Sequence, residues 1–242
     1  MLAEAISHTG LVRRNNEDAY LIISDLKIFA VADGMGGHAA GEIASKLAVN
    51  TLAEYINKHI HDHPPARVLA DAVAAANEEI YFQAVNHPSH SGMGTTLSAV
   101  WVVEDIAYLA HIGDSRIYLF RDEKLDLVTC DHSFVSEMVR NGNLTAQEAE
   151  KHPQRNLLTR ALGTESNVEV DMKELTLQKD DILLCCTDGL SAFVSADELE
   201  QMIRSNKDTN SKLQQMLQLA LNRGGHDNIT AMLVYNIKRR SL

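Results

Sequence analysis

The apolar positions of the chain follow two periods, one typical of strands and one typical of helices. Short apolar runs predict strands over residues 2–8, 18–24, 26–33, 95–103, 106–112, 115–121, 125–130, 181–187 and 229–237. Apolar residues spaced three and four apart, together with a capping box at Ser195-Ala196-Asp197-Glu198, predict helices over 41–61, 66–86, 195–204 and 209–222.

The strands between residues 95 and 130 are joined by short links. Glu104-Asp105 and Asp122-Glu123-Lys124 are of hairpin length, and consecutive short links require antiparallel pairing. A doubly wound parallel sheet is therefore excluded. Residues 131–166 are more polar, with short helical patterns at 133–141 and 145–151, and predict a surface flap. Because no repeat or linker is visible, we expect one compact α+β domain, residues 1–242, with this flap embedded in it.

Four aspartates stand beside small residues next to apolar segments. One follows the run Phe29-Ala30-Val31-Ala32 and is succeeded by closely spaced glycines and a histidine. Any one of these places is compatible with an ordinary glycine-rich turn. Four carboxylates on rigid elements, with few cations beside them, instead predict a site for a hard metal ion. The four residues are Asp33, Asp114, Asp188 and Asp227.

Oxygen ligands of this kind suit Mg²⁺ or Mn²⁺. Two such ions about 3.5–4 Å apart can share a water, lower its pKa and orient it for in-line attack on phosphorus. Zinc is disfavoured because no Cys/His set has the required spacing. Structural calcium is the alternative, although no segment has the closely spaced ligands of an EF-hand loop.

Arg13 is the candidate for binding a phosphate group. Its planar guanidinium can match two phosphate oxygens, and it lies on an early polar loop with Asn15, Asn16, Glu17 and Asp18. The alternative is a surface ion pair between Arg13 and one of the two acids on the same loop.

Composition narrows the function classes. The chain has 242 residues, 45% of them hydrophobic, and 22 basic against 33 acidic residues give a net charge of −11. This charge argues against nucleic-acid binding, but bound cations could still make the site attractive to an anionic substrate. The three cysteines, Cys130, Cys185 and Cys186, have no metal-type spacing, and the adjacent Cys185 and Cys186 lie in an apolar run, which is typical of core residues in a reducing compartment. With neither a signal peptide nor an apolar run of membrane-spanning length, we expect a cytoplasmic protein without a membrane span.

Six short motifs occur in a fixed order along the chain. They are Gly10-Leu-Val-Arg-Arg-Asn-Asn-Glu-Asp18, Asp33-Gly-Met-Gly-Gly-His38, Gly94-Thr-Thr, Gly113-Asp-Ser-Arg116, Asp188-Gly189 and Asp227-Asn228. Each motif is weak alone. As an ordered set spanning residues 5–237, they resemble the metal-dependent serine/threonine protein phosphatases of type 2C, in their compact bacterial-style form.

The resemblance implies a four-layer αββα sandwich, two packed antiparallel sheets flanked by helices, with a two-ion Mn²⁺ or Mg²⁺ centre at one end. Asp33 would bridge both ions, and the backbone carbonyl of Gly34 would help to hold the first. Asp188 and Asp227 would hold the second ion. In bacterial-style members a third ion lies near the positions that correspond to Asp114 and Asp188.

The same resemblance assigns roles to the polar loop. Arg13 matches the phosphate-binding arginine, and Glu17 and Asp18 match acids that act through metal-bound waters. Animal-type members place a general-acid histidine directly after the Asp-Gly pair, where this chain has Met35. His38 is therefore the candidate general acid, and a supporting role near the start of a helix or protonation by a metal-bound water are the alternatives.

The predicted function is hydrolysis of phosphoserine and phosphothreonine in proteins, without a phosphoenzyme, because no Cys or Ser nucleophile with a base is evident. By resemblance, the partners are phosphorylated proteins and a Ser/Thr kinase whose marks the enzyme erases, and the chain is expected to be a monomer. The alternatives are a catalytically silent regulator that binds phosphopeptides and a metal-dependent phosphodiesterase. The complete set of aspartates and Arg13 disfavours the first, and the lack of interleaved aromatic and basic residues disfavours nucleic-acid substrates for the second.

Overall fold

The computed structural model of the protein describes residues 1–37 and 40–236, which contain eleven strands, seven helices and a 3₁₀ turn at Pro88–His90. The strands are β1 (Leu2–His8), β2 (Asp18–Ile23), β3 (Ile28–Met35), β4 (Gly94–Thr95), β5 (Leu97–Val103), β6 (Ile106–Ile112), β7 (Arg116–Arg121), β8 (Lys124–Leu127), β9 (Asp171–Thr176), β10 (Ile182–Cys186) and β11 (Ile229–Tyr235). The helices are α1 (Ala40–His59), α2 (Pro65–Asn86), α3 (Phe134–Arg140), α4 (Ala146–Glu150), α5 (Asp188–Ser191), α6 (Ala196–Arg204) and α7 (Thr209–Asn222).

The strands form two sheets in which every pairing is antiparallel. The first sheet has the order β1-β11-β10-β7-β8. The second has the order β2-β3-β5-β6-β9, and the short strand β4 pairs with the end of β3. The antiparallel pairing predicted from the short links is therefore confirmed.

Apolar side chains fill three layers of core between four layers of structure. One cluster lies between the two sheets and includes Phe29 and Val100 of the second sheet and Leu183 and Met232 of the first. A second cluster packs α1 and α2 on the outer face of the second sheet, and a third packs α6 and α7 on the outer face of the first. Burial on both faces explains why the central strands are continuous apolar runs. The predicted αββα sandwich is confirmed.

Some strands begin or end at residues other than those predicted from the sequence, because of the turns beside them. The link between β7 and β8 has two residues, Asp122 and Glu123, rather than three, and both have positive φ (51° and 67°), as a type I′ hairpin requires. Strand β3 begins at Ile28 rather than at residue 26, because Lys27 closes a turn by donating its N–H to the Ser24 carbonyl at 3.2 Å.

Strand β9 was not predicted from the sequence. It pairs with β6 at the edge of the second sheet, and its residues Asp-Met-Lys-Glu-Leu-Thr are almost all exposed. An edge strand with little burial needs no apolar alternation, so the pattern that predicts central strands is missing there.

The predicted flap segment carries α3 and α4, close to the predicted positions. Ser133 caps α3 through the N–H of Ser136, and Thr145 forms a capping box with Glu148 at α4. The far end of the segment returns to the body, where Leu162 is buried and forms a β-bridge with Thr95. The division of the chain into one domain with a flap stays a prediction. Across the described ranges, no helix is both long and apolar enough to cross a bilayer.

Candidate active site

The predicted acids lie close together because, in an antiparallel sheet, the end of one strand lies beside the start of its neighbour. Strands β2, β5, β7 and β11 begin at one end of the sandwich, where β1, β3, β6 and β10 finish. The predicted acids stand at or beside these strand ends. They are Asp18, Asp33, Asp114, Asp188 and Asp227.

Asp18 and Asp33 are directly opposite each other in the β2–β3 pair, so their side chains share one face of the second sheet. The backbone of Asp33 is held on both sides. Its N–H donates to Thr96 Oγ1 at 2.9 Å, and its carbonyl accepts from the Thr95 hydroxyl at 2.9 Å and from the Thr96 N–H at 2.9 Å. The position of Asp33 therefore depends on residues more than sixty positions away in the chain.

Asp18 is buried and joins the two sheets. Its Oδ2 accepts hydrogen bonds from the hydroxyls of Thr187 at 2.9 Å and Thr230 at 2.6 Å, both beside strands of the first sheet or within them. Its Oδ1 is buried without any hydrogen-bond partner. Burial raises the pKa of Asp18 to about 7, although the two threonine hydrogen bonds oppose that rise. Asp18 thus offers one unused carboxylate oxygen to the site.

Asp188 is the first residue of α5, and Thr187 alone separates it from the end of β10. Its carboxyl is within hydrogen-bond reach of Asp33, and its Oδ1 is also buried without a partner. Burial, followed by the charge of Asp227, raises the pKa of Asp188. A side chain at Gly189 would collide with the backbone carbonyl of Asn228, so glycine permits the chain around Asp188 and the chain around Asp227 to approach each other.

Burial is also the largest cause of the raised pKa values of Asp33 and Asp114. It raises the pKa of Asp33 well above its ordinary range, followed by the charges of Asp18 and Asp188. It raises the pKa of Asp114 to about 8, with the charge of Asp188 as the next cause. Carboxylates that destabilise one another's charged forms in this way are suited to a bound cation.

Arg13 reaches into this acidic cluster from the polar loop. Its Nη2 lies 2.9 Å from Asp227 Oδ2, and half of its side chain is exposed. The partner is therefore Asp227, rather than Glu17 or Asp18, the two acids considered from the sequence. Burial lowers the pKa of Arg13, but the charge and hydrogen bond of Asp227 outweigh this and raise it overall.

Glu17 and Gly34 meet at the start of α1. The Gly34 N–H donates to the Glu17 backbone carbonyl at 3.1 Å. A Cβ at Gly41 would lie 2.8 Å from the Gly34 carbonyl oxygen and 2.9 Å from Glu17 Cδ, so that glycine leaves room for the Gly34 carbonyl and the Glu17 side chain. Burial raises the pKa of Glu17, and the charge of Arg13 lowers it.

The role of Asn228 was not predicted from the sequence. Its Oδ1 accepts the Glu17 N–H at 2.7 Å, and its Nδ2 donates to the carbonyls of Thr9 and Asn15 at 2.9 Å each. One side chain therefore holds the polar loop that carries Arg13. The signal was its place directly after Asp227. Thr187 and Thr230, the donors to Asp18, were missed as well, and nothing in their local sequence marks them.

His38, the candidate general acid, lies outside the described residues, and that role stays a prediction. Met35, which follows the Asp33-Gly34 pair, is described. It pairs with Gly94 on β4.

The cluster fits a divalent metal centre with oxygen ligands. Two buried carboxylate oxygens, Asp18 Oδ1 and Asp188 Oδ1, have no other partner, and such atoms are costly unless something binds them. Within residues 1–37 and 40–236, no three His, Cys, Asp or Glu side chains are arranged to hold an ion by themselves. Waters and backbone carbonyls would therefore have to complete each coordination shell, as Mg²⁺ in particular prefers.

Comparison with known proteins decides the family. The family model for protein phosphatase 2C matches residues 11–234. The chain belongs to the protein phosphatase 2C family. Serine/threonine phosphatase stp from Listeria monocytogenes is 37% identical over 240 residues, which cover 97% of this chain and 95% of that protein. The predicted family and the predicted enzyme class are therefore confirmed.

Two solved structures agree with the fold of this phosphatase. The serine/threonine phosphatase PstP/Ppp from Mycobacterium tuberculosis has a TM-score of 0.91 and 38% identity, covering 98% of this chain and 99% of that one. The catalytic domain of PstP in complex with two manganese ions has a TM-score of 0.87 and 37% identity, covering 98% of each chain.

Proposed function

We propose that the phosphatase hydrolyses phosphoserine and phosphothreonine in proteins, with Mn²⁺ or Mg²⁺ as its cofactor, and so reverses the action of a Ser/Thr kinase. The observation that carries the proposal is the group of aspartates beside Arg13, in which Asp18 and Asp188 each keep one buried oxygen without a partner. The partner kinase, the monomeric state and the cytoplasmic location expected from the sequence belong to the same proposal.

The chain would hold two core ions through a small set of oxygen ligands. These are the carboxylates of Asp33, Asp188 and Asp227 and the carbonyl of Gly34, with Asp114 as the candidate for a third ion. When bound, the ions would supply a water of lowered pKa, oriented to attack phosphorus. The related manganese complex of PstP supports two ions.

Arg13 would bind the phosphate. Its guanidinium has five N–H donors, and the contact with Asp227 uses one of its terminal nitrogens, so further donors remain for two phosphate oxygens. Its half-exposed side chain can reach a phosphoprotein at the surface. Asn228 would keep Arg13 in place by holding the backbone at Thr9 and Asn15 on either side of it.

Glu17 and Asp18 would bind and orient waters. The unpartnered Asp18 Oδ1 can accept a hydrogen bond, while the two threonine hydroxyls fix the other oxygen and hence the plane of the carboxylate. No residue of the cluster needs to form a covalent intermediate. The thiols of Cys185 and Cys186 are buried, and burial raises the pKa of both, so neither is a ready nucleophile.

The first test is hydrolysis of p-nitrophenyl phosphate and of a phosphothreonine peptide with Mn²⁺, with Mg²⁺ and with EDTA. We expect phosphate release that chelation abolishes and Mn²⁺ restores. A folded protein that releases no phosphate with either metal, yet binds the phosphopeptide, would contradict the proposal in favour of a silent phosphopeptide-binding regulator.

A further inference from the structure

Two adjacent aliphatic residues, Leu11 and Val12, are left in solvent beside the candidate active site. Their exposures are 65% and 61%, and among the described large apolar residues only Val85, at 64%, exceeds 60% as well. Single exposed apolar residues are common on protein surfaces. Two in succession, directly before the candidate phosphate-binding Arg13, form a small apolar surface at a functional position.

The backbone that presents this surface is held in place. The Leu11 N–H donates to the Gly225 carbonyl at 2.7 Å, and Asn228 binds the carbonyls of Thr9 and Asn15 on either side. The two side chains are therefore exposed because the loop is fixed in that conformation. A contact made on a fixed loop costs little additional conformational entropy.

The surface adjoins the residues that are proposed to bind the phosphate, because Val12 is next to Arg13 in the chain. Leu11 packs over Gly225, where an added Cβ would lie 3.0 Å from Leu11 Cγ, and Gly225 is two positions before Asp227. Asp227 in turn contacts Arg13 at 2.9 Å. Since an extended peptide advances about 3.3–3.6 Å per residue, the neighbours of a bound phosphoresidue can reach this loop.

We infer that Leu11 and Val12 contact an aliphatic side chain of the substrate, located within two residues of its phosphoserine or phosphothreonine. The inference rests on the proposed function and deepens it by naming a sequence preference. The occupant is the substrate because Val12 is the chain neighbour of Arg13 and Leu11 packs over Gly225, two positions before the Asp227 that Arg13 contacts. The contact would contribute to selection among phosphoproteins and would be absent for a substrate without flanking residues.

The test compares two phosphothreonine peptides that differ only in carrying leucine or glycine at the positions flanking the phosphoresidue, with p-nitrophenyl phosphate as the substrate that lacks flanks. The parent enzyme should favour the leucine peptide by about fivefold in kcat/KM, mainly through KM. Val12→Ser should remove most of that preference and leave both the glycine peptide and p-nitrophenyl phosphate unchanged. Leu11→Ser should act in the same direction.

Val85→Ser on α2 is the matched control, because it removes an equally exposed valine far along the chain from the loop, and it should alter none of the rates. A parent enzyme that is active but treats the two peptides alike would overturn the inference alone. An equal loss of activity on all three substrates in Val12→Ser would also overturn it. So would a dimeric enzyme that Val12→Ser dissociates without changing the peptide preference, because a second copy of the chain would then be the occupant of the surface. A parent inactive on every substrate would overturn the proposed function together with this inference.

Discussion

Strand β10 has an aspartate beside each end, and the two aspartates differ in whether their carboxylate oxygens have hydrogen-bond partners. Asp181, just before the strand, is 2% exposed and accepts hydrogen bonds from Arg121 Nε at 2.9 Å, Arg121 Nη2 at 2.6 Å and the Gln178 N–H at 2.7 Å. Asp188, just after the strand, keeps a buried oxygen without a partner, and burial raises its pKa.

The difference is the one expected between a structural carboxylate and a carboxylate that binds a ligand. A buried charge that is paired bidentately with arginine has its hydrogen-bonding needs met within the protein. A carboxylate oxygen that is buried among other carboxylates without a partner destabilises the protein. A cation that binds there offsets this cost. The contrast between Asp181 and Asp188 therefore supports the proposal that the metal ions bind at the end of the sandwich that carries Asp188.

The largest expected effect is the loss of activity in Asp188→Asn. If Asp188 holds the ions as proposed, removing its charge should lower kcat by at least about a hundredfold, because both ion binding and water activation would depend on it. The measurement is p-nitrophenyl phosphate hydrolysis over a Mn²⁺ titration. Asp181→Asn, the same substitution at the other end of β10, is the control and should stay within about twofold of the parent. Near-normal turnover in Asp188→Asn would contradict the assignment of Asp188 as a metal ligand.

The second effect concerns pH in the metal-free protein. Burial raises the pKa of Asp18 to about 7 and of Asp114 to about 8, so the folded state holds protons that the unfolded chain has released. The stability that this protonation contributes is complete below about pH 4 and is lost as pH rises through 7 to 8. Between pH 6 and 8 the free energy of unfolding should therefore fall by about 2–4 kcal/mol with EDTA present.

Thermal unfolding at several pH values measures this change. Asp18→Asn should reduce the pH dependence, and saturating Mn²⁺ should reverse the loss, because the ions then stabilise the charged carboxylates. A metal-free protein that is equally stable at pH 6 and pH 8 would show that the acids at this end do not destabilise one another.

The smallest effect is the stability cost of Asp181→Asn. The substitution weakens two hydrogen bonds to Arg121, whose side chain is 24% exposed and can still be partly hydrated, so we expect a loss of about 2 kcal/mol. Urea unfolding of the metal-free protein measures it. The corresponding Asp188→Asn protein, also metal-free, should be no less stable than the parent at pH 8. If Asp188→Asn were the more destabilised of the two, the contrast between the ends of β10 would be wrong.

Much of the fold could be predicted because its signals are local. The apolar runs that end near Asp33 and Asp188 gave the central strands, and the Ser195 capping box placed the start of α6 correctly. Strand β9 could not be found in this way, because an exposed edge strand gains its order from pairing with β6 and carries no apolar pattern of its own.

The sequence by itself determined the family and the candidate residues for its chemistry, since the aspartates and Arg13 stand in short motifs whose order marks the family. Only the tertiary structure decided how they are held. Asp18 accepts hydrogen bonds from Thr187 and Thr230, which lie 169 and 212 positions away, and Asn228 fixes the loop from the other end of the chain. Such contacts exist only after both sheets have packed together, and no local pattern of residues encodes a hydrogen bond over that separation.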